Sequence, residues 1–142
     1  MTYRYPVRIS REAKGGGLTV TFPDLPDAVT CGETIEAALA AAVDCLDEVL
    51  ASHIRLGKEI PSPSKAKKFS VVPSIGIAAK AALYDSFRSS DLRKGELARQ
   101  LNVNETEIRR MFDPLHPTKI SRIEKALGVL GKRISLTIED AL

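Results

Sequence analysis

The chain has 142 residues, 44% hydrophobic and 27% charged, enough for one domain or two small ones with cores of their own. It has no run of eighteen apolar residues, which excludes a membrane-spanning helix. The net charge of +3 hides a division: residues 1–64 hold six Lys/Arg against nine Asp/Glu, and residues 65–142 hold fifteen against nine, so the back half suits an anion and the front half a cationic partner.

In chain order, "YRYPVRIS" (3–10) reads as a strand and "REAKGGG" (11–17) as a turn, because consecutive glycines supply positive φ without steric penalty. "LTVTFPDL" (18–25) alternates Leu18, Val20 and Phe22 against Thr19 and Thr21, which predicts a strand forming a hairpin with the first. Pro23 and Pro26 are expected to end it, since neither has an N–H for the ladder. "AVTCG" (28–32) reads as a short third strand. A long helix is predicted over 34–57, with Thr34 as its cap, Glu36 in its first turn and Gly57 as its stop. Ile35, Leu39, Ala42, Val43, Leu46, Val49, Leu50 and Ile54 form its apolar stripe. "KEIPSPSKAKK" (58–68) reads as a loop, with Lys65, Lys67 and Lys68 solvated, and "FSVVP" (69–73) as a strand. The front part is thus an α+β fold: a small antiparallel sheet covered by one helix.

Around Ser74 the pattern becomes helical. Helices are predicted over 77–90, 92–101, 104–112 and 119–131, followed by an alternating segment, "KRISLTI" (132–138). Its residues Ile134, Leu136 and Ile138 share one face and suit pairing with a twin strand of a second subunit, because a lone strand cannot satisfy its own backbone. The expected organisation is an α+β domain over 1–75, a connecting helix or linker over 76–91, and an all-α domain over 92–142 that ends in a short strand.

"LARQLNVNETEIRRM" (97–111) has the layout of a helix-turn-helix. Ala98 is small where two helices would cross; Leu97, Leu101, Val103, Ile108 and Met111 supply a core side. Asn104 can cap the second helix, with Glu107 at capping-box spacing. Asn102 stands where many such turns carry Gly, and Asn tolerates a left-handed backbone. Together with Asn104, the outward Glu105, Thr106, Arg109 and Arg110 would then face base edges and phosphates, where Arg binds guanine bidentately and Glu accepts from cytosine. Lys94, Arg99, Lys119 and Arg122 flank the module as candidate phosphate contacts.

Catalytic patterns are missing from the letters. His53 and His116 lack partners at ligand spacing and are expected to be solvated. Cys31 and Cys45 are expected to be reduced, semi-buried thiols. Asp24, Asp27, Glu33, Asp44, Asp47 and Glu48 lie outside the strand centres where a rigid metal site would sit. No catalytic residue, metal or cofactor is expected, and the first ten residues lack an apolar signal segment, which suggests a cytoplasmic protein.

At "FPDLP" (22–26), "GETIEAA" (32–38) and "IPSPS" (60–64) the chain resembles the HicB antitoxin family. Residues 113–138 after the helix-turn-helix are similar to the DNA-binding tail of one branch of that family. The chain departs at Asp27 and Ala28, where the family often has Gly-Cys, and at Ala37, where it often has a second Glu. The resemblance implies a front domain with a shortened RNase H-like fold that binds a small basic mRNA-cutting toxin, HicA. It also implies a tail that represses the toxin–antitoxin operon as a dimer or dimer of dimers. An RNase H-like metal-dependent nuclease and a ligand-sensing repressor are the alternatives.

Overall fold

The computed structural model describes residues 1–12 and 15–141. It divides into two compact units: Met1–Ser52 with Ile60–Ser74, and His53–Glu59 with the chain from Ile75 onward. The first holds β1 (Tyr5–Arg11), β2 (Leu18–Phe22), β3 (Leu25–Gly32), most of α1 (Ile35–Arg55) and β4 (Phe69–Val71). The second holds α2 (Ile75–Arg88), α3 (Lys94–Leu101), α4 (Glu105–Met111) and α5 (Ile120–Val129).

The four strands form one antiparallel sheet in the order β3-β2-β1-β4. Alternation in β2 buries Leu18, Val20 and Phe22 and leaves Thr19 and Thr21 half-buried, as a one-sided sheet requires. Of the expected 11–17 turn, Ala13 and Lys14 lie outside the described residues; Gly15 and Gly16 have φ of +92° and +70°. The third strand is longer than its apolar letters suggest. A register shift at Thr21/Phe22 lets Leu25 pair with Phe22, so Pro26 lies inside β3 and does not end a strand. β3 is the sheet's edge, where a residue without an N–H is tolerated.

Helix α1 starts on Thr34, whose Oγ1 accepts from the Ala37 N–H at 3.1 Å. Ala38, Ala42, Leu46 and Leu50, four residues apart, are fully buried. Ile35, expected on that stripe, is instead exposed, because it precedes the turn that settles onto the core. Gly32 comes so close to α1 that a Cβ there would stand 2.7 Å from Ala38 Cα and 2.8 Å from the Ala37 carbonyl carbon. Gly57, at φ +67°, follows the helix end.

The second unit has its own core, with Ala79 and Leu83 from α2, Leu97 and Ala98 from α3, Ile108 and Met111 from α4, and Ile123, Ala126 and Leu127 from α5. Helix α2 is therefore a packed member of this unit. Its end is also tied to the residues after α1: Tyr84 Oη donates to the Lys58 carbonyl at 2.8 Å, and Arg88 to that of Gly57 at 2.7 Å.

The expected C-terminal strand over 132–138 does not form. Residues 132–141 carry neither helix nor strand. Ile134 packs against the helical core, while Leu136 and Ile138 are 67% and 84% exposed. No strand of the second unit is present among the described residues to complete a ladder, so the alternating segment has nothing to pair with in a single chain.

Candidate nucleic-acid interface

Helices α3 and α4 are joined by a turn over 102–104 whose geometry follows from its letters. Asn102 holds φ 54° and ψ 48°, the one positive-φ residue other than glycine among the described residues, and its N–H reaches the Arg99 carbonyl at 3.2 Å. Asn pays little for this left-handed conformation. The Val103 N–H donates to the Ala98 carbonyl at 3.0 Å, and Val103 packs against the core. Asn104 then caps α4, its Oδ1 accepting from the Glu107 N–H at 2.9 Å. The Glu107 carboxylate lies 3.3 Å from Arg122.

With Ile108 and Met111 turned inward, α4 presents Glu105, Thr106, Arg109 and Arg110 to solvent. Two shallow depressions flank it. One, of about 420 Å³, is lined by Lys94, Gly95, Ala98, Glu105, Ile108 and Arg109. The Lys94 ammonium sits 4.9 Å above the Phe112 ring, which meets Phe87 edge-on at 4.9 Å, so an aromatic pair props this cation. The other, of about 260 Å³, brings together Arg110, Lys119 and Arg122 with Glu107, His116 and Thr118. Of the cations singled out from the sequence, Arg99 lines neither depression, and Thr106 is likewise outside both. Arg122 shares its charge with Glu107, an exposed pair of small net strength.

Sequence reasoning missed Lys80. Set in the apolar run "IAAKAAL", it is buried, and its ammonium donates to the Arg110 carbonyl at 2.7 Å and to Thr118 Oγ1 at 2.6 Å. It thus ties α2 to the last turn of α4. Burial pulls its pKa down to about 8, against the opposing charge of Asp113. The signal was available: a lysine on the apolar side of a helix needs acceptors.

In the first unit two of the carboxylates singled out from the sequence hold loops, while Asp27, expected outside the strands, lies within β3 because the register shift extends that strand back to Leu25. Asp24 accepts from the Ser64 N–H at 2.8 Å and the Ser64 hydroxyl at 2.9 Å, and Asp47 accepts from the Ser74 N–H at 2.9 Å. Among the described residues, no three His, Cys, Asp or Glu side chains gather as a metal site would require. His53 and His116, expected to be solvated, are half-buried with local partners, Glu59 O at 2.9 Å and Thr118 Oγ1 at 3.1 Å. Cys31 is exposed rather than semi-buried. The Cys45 thiol is pushed up by burial and then by Glu48, which disfavours the thiolate. Lys65, Lys67 and Lys68 join Arg8 along a groove of about 510 Å³ floored by Pro6, Ile9 and Phe69.

A family model described as the HicB-like antitoxin of bacterial toxin–antitoxin systems matches residues 4–82, more than half of the chain. Antitoxin HicB 2 of Photorhabdus laumondii is 40% identical over 134 residues, covering 94% of each chain. Antitoxin HicB of Escherichia coli K12 is 37% identical over 138 residues, covering 95% of this chain and 99% of its own. Antitoxin HicB 1 of Photorhabdus laumondii is 35% identical over 136 residues, covering 96% and 87%.

Proposed function

Because the chain belongs to the HicB-like antitoxin family, we propose that it neutralises a small HicA-type ribonuclease toxin with its front domain and represses its own operon with its helical domain. The observation that carries this reading is the reach of the similarity. Proteins named antitoxins match this chain through α3, α4 and α5 as well as through the sheet, at 94–96% of its length. A front domain over 1–75, which we take as a shortened RNase H-like fold, binds the toxin, and its acidic balance suits a basic partner. Residues 92–142 act as a helix-turn-helix domain. Arg109, Arg110 and Thr106 address base edges, with Glu105 and Asn104 beside them, and Lys94, Arg99, Lys119 and Arg122 bind phosphates. Such modules read two half-sites as dimers. The protein works in the cytoplasm, as a binder and not an enzyme.

The test is co-expression with the small reading frame adjoining its gene, scored by growth and by co-purification, alongside gel-shift titration of the operon's upstream DNA. Rescue with a stable complex supports the antitoxin role. Arg109→Ala and Arg110→Ala should weaken the DNA shift and leave the toxin complex intact. Equal loss of both in folded variants would contradict the division of labour.

A further inference from the structure

The sheet of the first unit leaves part of one strand unpaired. On one side, β1 pairs with β2 along Arg8–Arg11; on the other, β4 reaches only Tyr5, Pro6 and Val7. From Arg8 to Arg11 that second side has no strand beside it among the described residues, a length of about 14 Å at about 3.4 Å per residue. The place of a further strand is taken by the groove of about 510 Å³ between β1 and residues 64–69. That loop is anchored at both ends, by its run into β4 and by Ser64, whose N–H and hydroxyl donate to Asp24 at 2.8 and 2.9 Å.

Two properties of the groove select its occupant. The first is charge. Arg8 lines it from β1, and Lys65, Lys67 and Lys68 from the loop. Arg8, Lys65 and Lys67 have no ion pair among the described residues, while Lys68 lies over the Phe69 ring at 5.3 Å. The groove thus reverses the negative balance of residues 1–64 and does not suit the basic toxin assigned to this domain. Cations on a strand edge keep identical chains from stacking, and the same cations favour a strand of opposite charge. The second property is backbone. An open edge offers both N–H and C=O groups, and a phosphate chain has only acceptors to set against them, whereas a peptide carries both. Alternation across β1 also sets the pattern of that peptide. Half-buried Ile9, opposite Val20, suits an apolar neighbour, and exposed Arg8 and Ser10 on the other face suit acidic or polar ones.

We propose that the open edge of β1 over Arg8–Arg11 takes an extended acidic segment of a partner protein as an added strand. Main-chain hydrogen bonds give the strand its place, and Arg8, Lys65 and Lys67 select its charge. This is a third interface, and it needs neither toxin nor operator to be observed.

The experiment titrates the full chain into fluorescein-labelled capped peptides, followed by anisotropy. A short peptide of alternating Glu and Val should bind, and a Lys-Val peptide of the same length should bind at least about tenfold more weakly. Two further Glu-Val peptides carry N-methyl groups on alternate residues, one set on every Glu and the other on every Val. Only every other N–H of an added strand points at β1, so one set should lose about tenfold or more and the other should bind like the parent peptide. Binding should slow amide exchange within residues 8–11. Arg8→Glu with Lys67→Glu, both at exposed positions, should weaken the Glu-Val peptide by about tenfold. The N-methyl comparison uses the unaltered protein, so it decides the question even if that variant misfolds. No binding of the Glu-Val peptide, equal binding of the Lys-Val peptide, the same effect from both N-methyl sets, or protection only outside residues 8–11 would each overturn the proposal. Oligouridylate binding more tightly than the Glu-Val peptide would overturn it in favour of a nucleic-acid groove.

Discussion

Gly32 shows how one residue fixes the packing of the first unit. Its backbone φ is ordinary; what it provides is the absence of a Cβ where β3 touches α1, with Ala37 and Ala38 in the space one would occupy. The neighbour is helix backbone, which cannot rotate away, so Gly32→Ala should cost about 1–3 kcal/mol, read as a lower urea midpoint. An unchanged midpoint would mean that the helix shifts freely. Lys80 makes the residue-scale point in the second unit. Its pKa of about 8 lies below the usual 10.5, so between those values the unfolded chain holds a proton that the folded chain has released. Stability from this group therefore rises as pH climbs from about 8 towards 10, and does not change below. The stability difference between the parent and Lys80→Met should grow in the parent's favour over that interval. A flat or falling difference would sink this account of the buried amine.

At the scale of elements, the readable parts were those with a local cause. Thr34 and Asn104 sit at caps because their side chains meet N–H groups three residues on. Asn102 was legible as a left-handed residue because Asn tolerates that backbone conformation at little cost. What was not legible depended on distant partners. Pro26 falls within β3 only because a register shift in β2 brings Leu25 opposite Phe22. Ala38 lies on the buried face of α1 because Gly32 makes room for it, and no periodicity of large residues announces an alanine. Lys80 finds its acceptors 30 and 38 residues away. The candidate DNA-facing residues were visible as an outward set, but their grouping on either side of α4 depends on how α3 and α5 pack. The cap of α4 gives a prediction at this scale. Asn104→Ala should cost the helical unit about 1 kcal/mol, whereas Asn104→Asp should keep most of that stability, since either side chain can accept from the Glu107 N–H. If Asn104 also contacts DNA, both variants should weaken the operator complex; if it acts only as a cap, Asn104→Asp should bind like the parent apart from its added charge.

For the whole molecule, the division of charge separates two kinds of binding that respond differently to salt. The front half carries an excess of three negative charges and the back half an excess of six positive ones. Phosphate contacts release counterions, so each cation that touches DNA adds roughly one to the slope of log affinity against log salt. Lys119 is exposed and has no ion pair among the described residues, whereas Arg122 beside it already faces Glu107 at 3.3 Å. Lys119→Ala should therefore lower the salt slope of operator binding by about one and leave sequence discrimination unchanged. Arg122→Ala should lower it less, because the lost cation was partly neutralised by Glu107 before DNA arrived. Arg109→Ala should differ in kind, reducing the preference for operator over unrelated DNA more than it changes the slope. Gel-shift titrations across a salt series, on operator and on scrambled DNA, distinguish the three outcomes. If all three variants change slope and preference alike, the basic face acts as a diffuse electrostatic surface, and α4 does not read bases.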